Sequence, residues 1–216
     1  MGWEYVKSHC SGRNLNYLQL NRHQLAHAEI RRFAVHIYRF DTMRETQLKG
    51  LRFPFALAWR AERGRHVLTS RLGGKELGLN APMRVRTEEM FDVCAIPDET
   101  GAASGWLELE IDGCLTASEP DWKGLTQAFS RDRGGFGLAL AQDMFRLPTY
   151  AWRIDDVARA LGVTRRSLQM ALFRESYSFD AALRRCRRLN QLLHEGDARC
   201  GFAVIARSAA QEPPFR

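Results

Sequence analysis

The stretch that most narrows what this chain can fold into is Leu161–Phe179, LGVTRRSLQMALFRESYSF. Just before and into it, Ile154, Val157, Ala158 and Leu161 recur at i, i+3, i+4 and i+7, the spacing that lays one apolar stripe along a helix. Asp155 and Asp156 fall in that helix's first turn, where carboxylates meet the positive end of the peptide dipole. Gly162 is predicted to end it, because a helix commonly closes on a residue able to take positive φ. Thr164 is then a good N-cap for a second helix whose buried side carries Leu168 and Leu172. Helix, short glycine turn and helix make a helix-turn-helix unit, with Ile154, Val157, Ala158, Leu161, Gly162, Leu168 and Leu172 as its core. The outward face of the second helix shows Arg165, Arg166, Gln169, Met170 and Phe173. An ordinary helical hairpin with solvated arginines has the same local spacing, so the unit alone leaves both readings open.

Charge adds weight to the first reading. The chain of 216 residues has a formal net charge of +7, with 45% hydrophobic and 26% charged residues, a composition suited to one or two globular domains. Between Ala151 and Glu195, nine arginines stand against five carboxylates, a local excess of +4. Arginine meets phosphate and the guanine edge through a planar fork that lysine cannot reproduce. Ser178 caps a third predicted helix in which Phe179, Leu183, Cys186, Leu189 and Leu193 keep an apolar face. Arg184, Arg185, Arg187 and Arg188 ring the rest of it.

The run from Trp152 to Leu193, WRIDDVARALGVTRRSLQMALFRESYSFDAALRRCRRLNQLL, resembles the first half of the AraC/XylS-type DNA-binding domain. The core DDVARALGVTRRSLQ, the phenylalanine after the serine and the linker helix LRRCRRLNQLL carry the likeness. Members of that family are bacterial transcription regulators with two helix-turn-helix units joined by a long helix, each unit placing one recognition helix in a major groove. The resemblance implies base contacts from Arg166, Gln169 and Met170, and phosphate contacts from Arg165 and Arg174 and, on the arginine-ringed helix, Arg184 and Arg188. It implies double-stranded DNA as partner, a homodimer, RNA polymerase and a small-molecule effector as further partners, and the bacterial cytoplasm as location.

The sequence departs from the family pattern at three places. Met170 stands where the family often has arginine; it can touch a thymine methyl but cannot donate to guanine. The usual glycine after the recognition helix is replaced by Ser176 or Tyr177, so that turn is made without the easiest residue. The end, HEGDARCGFAVIARSAAQEPPFR, starts like the family's second unit, with Ile205, Ala206 and Ala209 placed like its first helix. Ala210 and Gln211 then stand for the family's glycine and phenylalanine, and Pro213 and Pro214 forbid a helix interior. The second unit, 197–216, is therefore expected to be incomplete. The alternative function is that of a truncated regulator, dimerising with a full-length partner and binding DNA weakly.

Upstream, PFALAWRAERG, RHVLTSRLGG, KELGLNAPMRVRT, MFDVCAIPDE and GWLELEIDG are short, partly alternating and separated by Gly, Pro, Asn and Asp, which predicts strands and turns. The expected class is α+β: an N-terminal β-rich, barrel-like domain followed by an all-α helix-turn-helix domain. The division expected is 1–129 for a sensor and dimerisation domain, SRDRGG at 130–135 as linker, and 136–216 for the DNA-binding domain, with its first unit at 154–176 and linker helix at 179–194. Helices are predicted at Trp122–Phe129 and Leu138–Leu147. His23 and His27 lie four apart on a further predicted helix within LNRHQLAHAEIRRFAVHIYRF, residues 20–40, but without the glutamate of HExxH or a third ligand they read as surface histidines, and no metal is expected.

Cys10, Cys94, Cys114, Cys186 and Cys200 are scattered singly and odd in number, which predicts free thiols. No run of eighteen apolar residues and no signal-peptide core occurs, so no membrane partner is expected. Nucleophile elbow, P-loop and Rossmann fingerprints are absent, and GGFG lacks the strand and lysine of a phosphate cradle. The chain is expected not to be an enzyme and to need no cofactor.

Overall fold

Alternating side chains build the first part of the chain. Along Phe91–Ile96, Phe91, Val93 and Ala95 are buried while the residues between them are half-buried, the period of two that a strand imposes. The computed structural model describes residues 33–71, 73–79, 81–112, 118–131, 134–196 and 202–211. Within them, the strands are β1 (Phe33–Thr42), β2 (Thr46–Leu51), β3 (Leu57–Arg63), β4 (Arg65–Ser70), β5 (Gly73–Leu77), β6 (Pro82–Val85), β7 (Phe91–Ile96), β8 (Ala103–Asp112) and, after the helices, β9 (Phe202–Gln211). They form two antiparallel sheets, one in the order β6-β3-β8-β1-β9 and the other β2-β7-β4-β5. The helix predicted around His23 and His27 lies outside the described residues. From Phe33 onward that segment is β1.

The sheets meet through large side chains. Phe40 of β1 packs 4.5 Å from Trp59 of β3 and 5.7 Å from His66 of β4, ring centre to ring centre. Close packing there dictates Gly105: in register it faces Phe40 on one side and Ala61 on the other, and a Cβ would collide with the Arg60 carbonyl. His66, fully buried, accepts the Trp59 indole N–H on Nδ1 (3.1 Å) and reaches the Arg63 carbonyl from Nε2 (3.2 Å). Burial pushes its pKa down, so the imidazole is neutral and both nitrogens are used.

Among the described residues five helices follow β8: α1 (Trp122–Phe129), α2 (Phe136–Arg146), α3 (Ile154–Ala160), α4 (Arg165–Arg174) and α5 (Phe179–Glu195). α1 starts on Asp121, whose carboxylate accepts the Gly124 N–H. Asp121 itself donates its N–H to the buried Asp143 carboxylate of α2. α2 and α5 pack through Phe136, Leu140, Met144, Leu183, Cys186 and Leu193, all buried. Asn190 Nδ2 donates to the Phe145 carbonyl at 2.8 Å, satisfying a polar group inside that contact. Cys186, expected as a free thiol, is one; burial pushes its pKa up to about 12, so it is an unreactive thiol.

The helices sit on the sheets through an aromatic seam in which Phe145 meets Phe53 and Phe55 edge-on, at 6.2 and 5.5 Å. Gln142 donates across it to the Pro54 carbonyl.

One sequence expectation is overturned at the end of the chain. Residues 202–211, with Ile205, Ala206 and Ala209 read as the first helix of a second unit, are strand β9, paired antiparallel with β1 from Phe202↔Thr42 to Gln211↔Ala34. The helical spacing was genuine, but Phe202, Val204 and Ala206 also alternate. The outer edge of β1 offers ten residues' length of unpaired backbone groups that a lone helix could not satisfy. Phe202 is buried and stacks on Phe40 at 5.0 Å, which anchors the strand. The sheet therefore takes its last strand from beyond the helices.

Candidate nucleic-acid interface

The helix-turn-helix geometry follows from two matching helix ends. After α3, Gly162 takes φ +67°, its N–H bonds to the Arg159 carbonyl at 3.1 Å, and Val163 N–H bonds to the Ala158 carbonyl at 2.9 Å. This pair of bonds is a Schellman closure. After α4 the same closure recurs: Ser176 N–H to Phe173 at 2.9 Å and Tyr177 N–H to Leu172 at 2.8 Å, with Ser176 at φ +60° in the glycine position. The turn that lacked its glycine in sequence is thus the same turn, held with a strained serine. A left-handed residue other than glycine costs roughly 1–2 kcal/mol.

Between those ends, Thr164 caps α4: its side chain accepts the Ser167 N–H at 3.1 Å. Val157, Ala158, Leu168 and Leu172 are buried, and Ile154 and Leu161 are partly buried against the same core. Glu175, just past α4, turns its carboxylate onto the start of α2, accepting the Phe136 and Gly137 N–H groups at 3.2 and 2.9 Å. A Cβ on Gly137 would collide with the Tyr177 ring. The outer helix pair is therefore clamped to α2 by its own exit turn.

A second clamp joins the turn and α5 to the sheets. Glu88, at φ +62°, receives both terminal nitrogens of Arg185 at 2.9 and 2.8 Å and faces Arg52 Nε at 2.7 Å. Both guanidinium carbons lie near the Tyr177 ring, at 5.9 and 6.0 Å. Burial, and then the Glu88 carboxylate, pushes the Tyr177 phenol upward, so it stays neutral. This latch was not visible in sequence, because Glu88 and Arg185 are ninety-seven residues apart.

The nine arginines divide by task. Arg185 is taken by the latch. Arg187 donates to the Pro148 and Tyr150 carbonyls at 2.9 and 3.2 Å, stapling α5 to the loop before α3. Arg165 lies 3.3 Å from Asp155 and Arg159 2.8 Å from Asp156, both exposed pairs of small energetic weight. Arg153, Arg166, Arg174, Arg184 and Arg188 are exposed, and no ion pair among the described residues engages them. Gln169 and Met170 are exposed on α4 beside Arg166, opposite the buried Leu168 and Leu172. The outer face thus carries paired hydrogen-bond donors, an acceptor and apolar surface on one rigid helix, the chemistry required to touch base edges.

Two clefts flank Arg185 at the seam, about 190 and 210 Å³ in volume, one lined by Arg52, Tyr177 and Ala182 and the other by Lys49, Arg184 and Arg188. Both fall below the roughly 300 Å³ at which ligand pockets begin. Among the described residues no group of His, Cys, Asp and Glu could hold a metal ion, and no helix is long and apolar enough to cross a membrane.

No protein-family model matches the chain, and no curated protein matches it. Among solved structures it is similar to ToxT from Vibrio cholerae bound to an unsaturated fatty acid, at 10% identity and a TM-score of 0.40 over 74% of this chain and 80% of that one. ToxT from Vibrio cholerae O395 gives 10% identity and a TM-score of 0.41 over 74% and 81%. A cupin superfamily protein from Desulfitobacterium hafniense gives 15% identity and a TM-score of 0.32 over 39% and 72%. At such low TM-scores these likenesses settle neither family nor function.

Proposed function

We propose that the chain is a sequence-specific DNA-binding transcriptional regulator of AraC type that reads duplex DNA through α4. The observation that carries this is the two-sided character of that helix: Leu168 and Leu172 fix it in the core, while Arg166, Gln169 and Met170 stand together on the exposed side. Arg166 and Gln169 are the side chains able to make paired hydrogen bonds to guanine and adenine. Arg165, Arg174, Arg184 and Arg188 flank the face and are assigned to phosphates, Arg165 after leaving its exposed pairing with Asp155.

Among the described residues there is a single helix-turn-helix unit, since 202–211 is a strand. One such module buries a small interface, roughly 600–1,000 Å². Specific binding is therefore assigned to a homodimer presenting two copies of α4 to two half-sites.

The test is duplex binding by fluorescence anisotropy across a salt series. Affinity falling by about one to three decades between 50 and 200 mM salt supports the reading. Affinity for duplex DNA that ignores salt overturns it.

A further inference from the structure

Met170 and Phe173 are large apolar side chains left in water, with 47% and 75% of their surface exposed. Nothing in the packing of α4 requires them there, since its buried side is supplied by Leu168 and Leu172. With Arg166 and Gln169 they fall at i, i+3, i+4 and i+7, which is one line along the helix. The first half of that line is hydrogen-bonding and the second half is apolar.

What such a line fits is decided by its charge. Arg166 heads it and Arg174 flanks it, while Glu175, the carboxylate nearest in sequence, is turned away onto the N-terminus of α2. A cationic rim around an apolar edge matches the major groove, where phosphates border the floor and the thymine 5-methyl is the apolar group on it. From Arg166 to Phe173 the rise is about 10 Å, which spans about three base pairs of duplex.

We infer that Met170 and Phe173 form a methyl-reading edge, so that the duplex is selected by thymine methyl groups within about three base pairs of the guanine or adenine met by Arg166 and Gln169. This rests on the DNA-binding reading above and extends it to a residue, Phe173, for which hydrogen-bond chemistry predicts no role.

The experiment uses the full chain. Duplexes are enriched from a random-sequence pool, and each thymine in the enriched site is replaced in turn by deoxyuridine, which removes the methyl and keeps every hydrogen bond. The expected result is a loss of about fourfold in affinity at one or two thymines. Phe173→Ala, whose unchanged melting temperature is checked first, should bind the thymine and uracil duplexes equally at one of them. Phe173→Leu should keep part of the discrimination.

Equal binding of thymine and uracil duplexes by the unmodified chain overturns the inference while leaving salt-dependent DNA binding intact. So does a shift toward monomer on Phe173→Ala in light scattering without DNA, with the uracil discrimination retained, because the patch would then belong to a second copy of the chain. Failure to enrich any duplex, together with salt-independent binding, overturns the underlying reading and the inference with it.

Discussion

The sheets and the outer helix pair use the same kinds of side chain in opposite directions. In the sheets and the β2–β3 connection, Phe40, Phe53, Trp59 and Phe91 are all almost completely buried, and each is held by neighbours far away in sequence. On α4 two leucines suffice for anchoring, and the largest apolar residues, Met170 and Phe173, point outward. The first region spends its apolar surface on stability. The second leaves part of it exposed to solvent. Substitutions should therefore divide cleanly, the sheet core acting on folding and the outer face of α4 on binding alone.

The largest expected effect is on the sheet side. Trp59→Ala should lower stability by about 3–5 kcal/mol in urea unfolding, since it empties a fully packed site and strips His66 of its donor. Leu168→Ala, the strongest anchor of α4, should cost about 2–5 kcal/mol. A loss well under 1 kcal/mol there would mean that α4 is not fixed to the core, and the comparison would fail on its own ground.

The seam comes next. Glu88→Ala should cost about 2–3 kcal/mol, somewhat under the value for a fully buried pair, because it leaves Arg52 and Arg185 unpaired and mostly enclosed. Thermal melts of Glu88→Ala and Glu88→Gln would show whether charge or shape holds the latch.

Ser176→Gly should raise stability by about 1 kcal/mol, by removing left-handed strain from the exit of α4. No change would mean that the serine side chain offsets its own strain.

The smallest effect is a pH dependence assigned to His66. Its pKa is lowered by burial, so between that value and the ordinary 6.5 the unfolded chain binds a proton that the folded chain refuses. Stability should therefore be full above about pH 6.5 and fall as pH drops through the folded value. His36, also lowered by burial, acts in the same direction. Comparing pH-dependent melts of the unmodified chain and His66→Phe isolates the contribution of His66.

How much of this was legible in sequence depended on how local the cause was. Gly162, Thr164 and the leucine spacing placed α3 and α4 because caps and stripes act within one or two turns. Helix α1 matches its predicted bounds, and α2 begins two residues before the predicted Leu138 and ends one residue before Leu147. Most of the middle strands are visible as alternation between turn residues, whereas the sequence up to Phe40 also carries helical spacing and Phe33–Thr42 is strand β1. β9 was missed for a physical reason: Ala-rich FAVIARSAA suits a helix, and only the unpaired edge of β1 decides otherwise. The Glu88 latch and the Glu175 clamp were invisible, since each joins residues that only the fold brings together. Likewise the four clustered arginines of α5 looked alike in sequence, and only the structure separates Arg185 and Arg187, which staple, from Arg184 and Arg188, which stay in solvent.

The central claim, that α4 reads bases from a face that does not contribute to folding, is tested most directly by the affinities of Arg166→Ala and Gln169→Ala for an enriched duplex and for a random one at matched salt. The account predicts unchanged melting temperatures, a loss of about 1–3 kcal/mol on the enriched duplex and a smaller loss on the random one. Equal losses on both duplexes, or none on either, would contradict it.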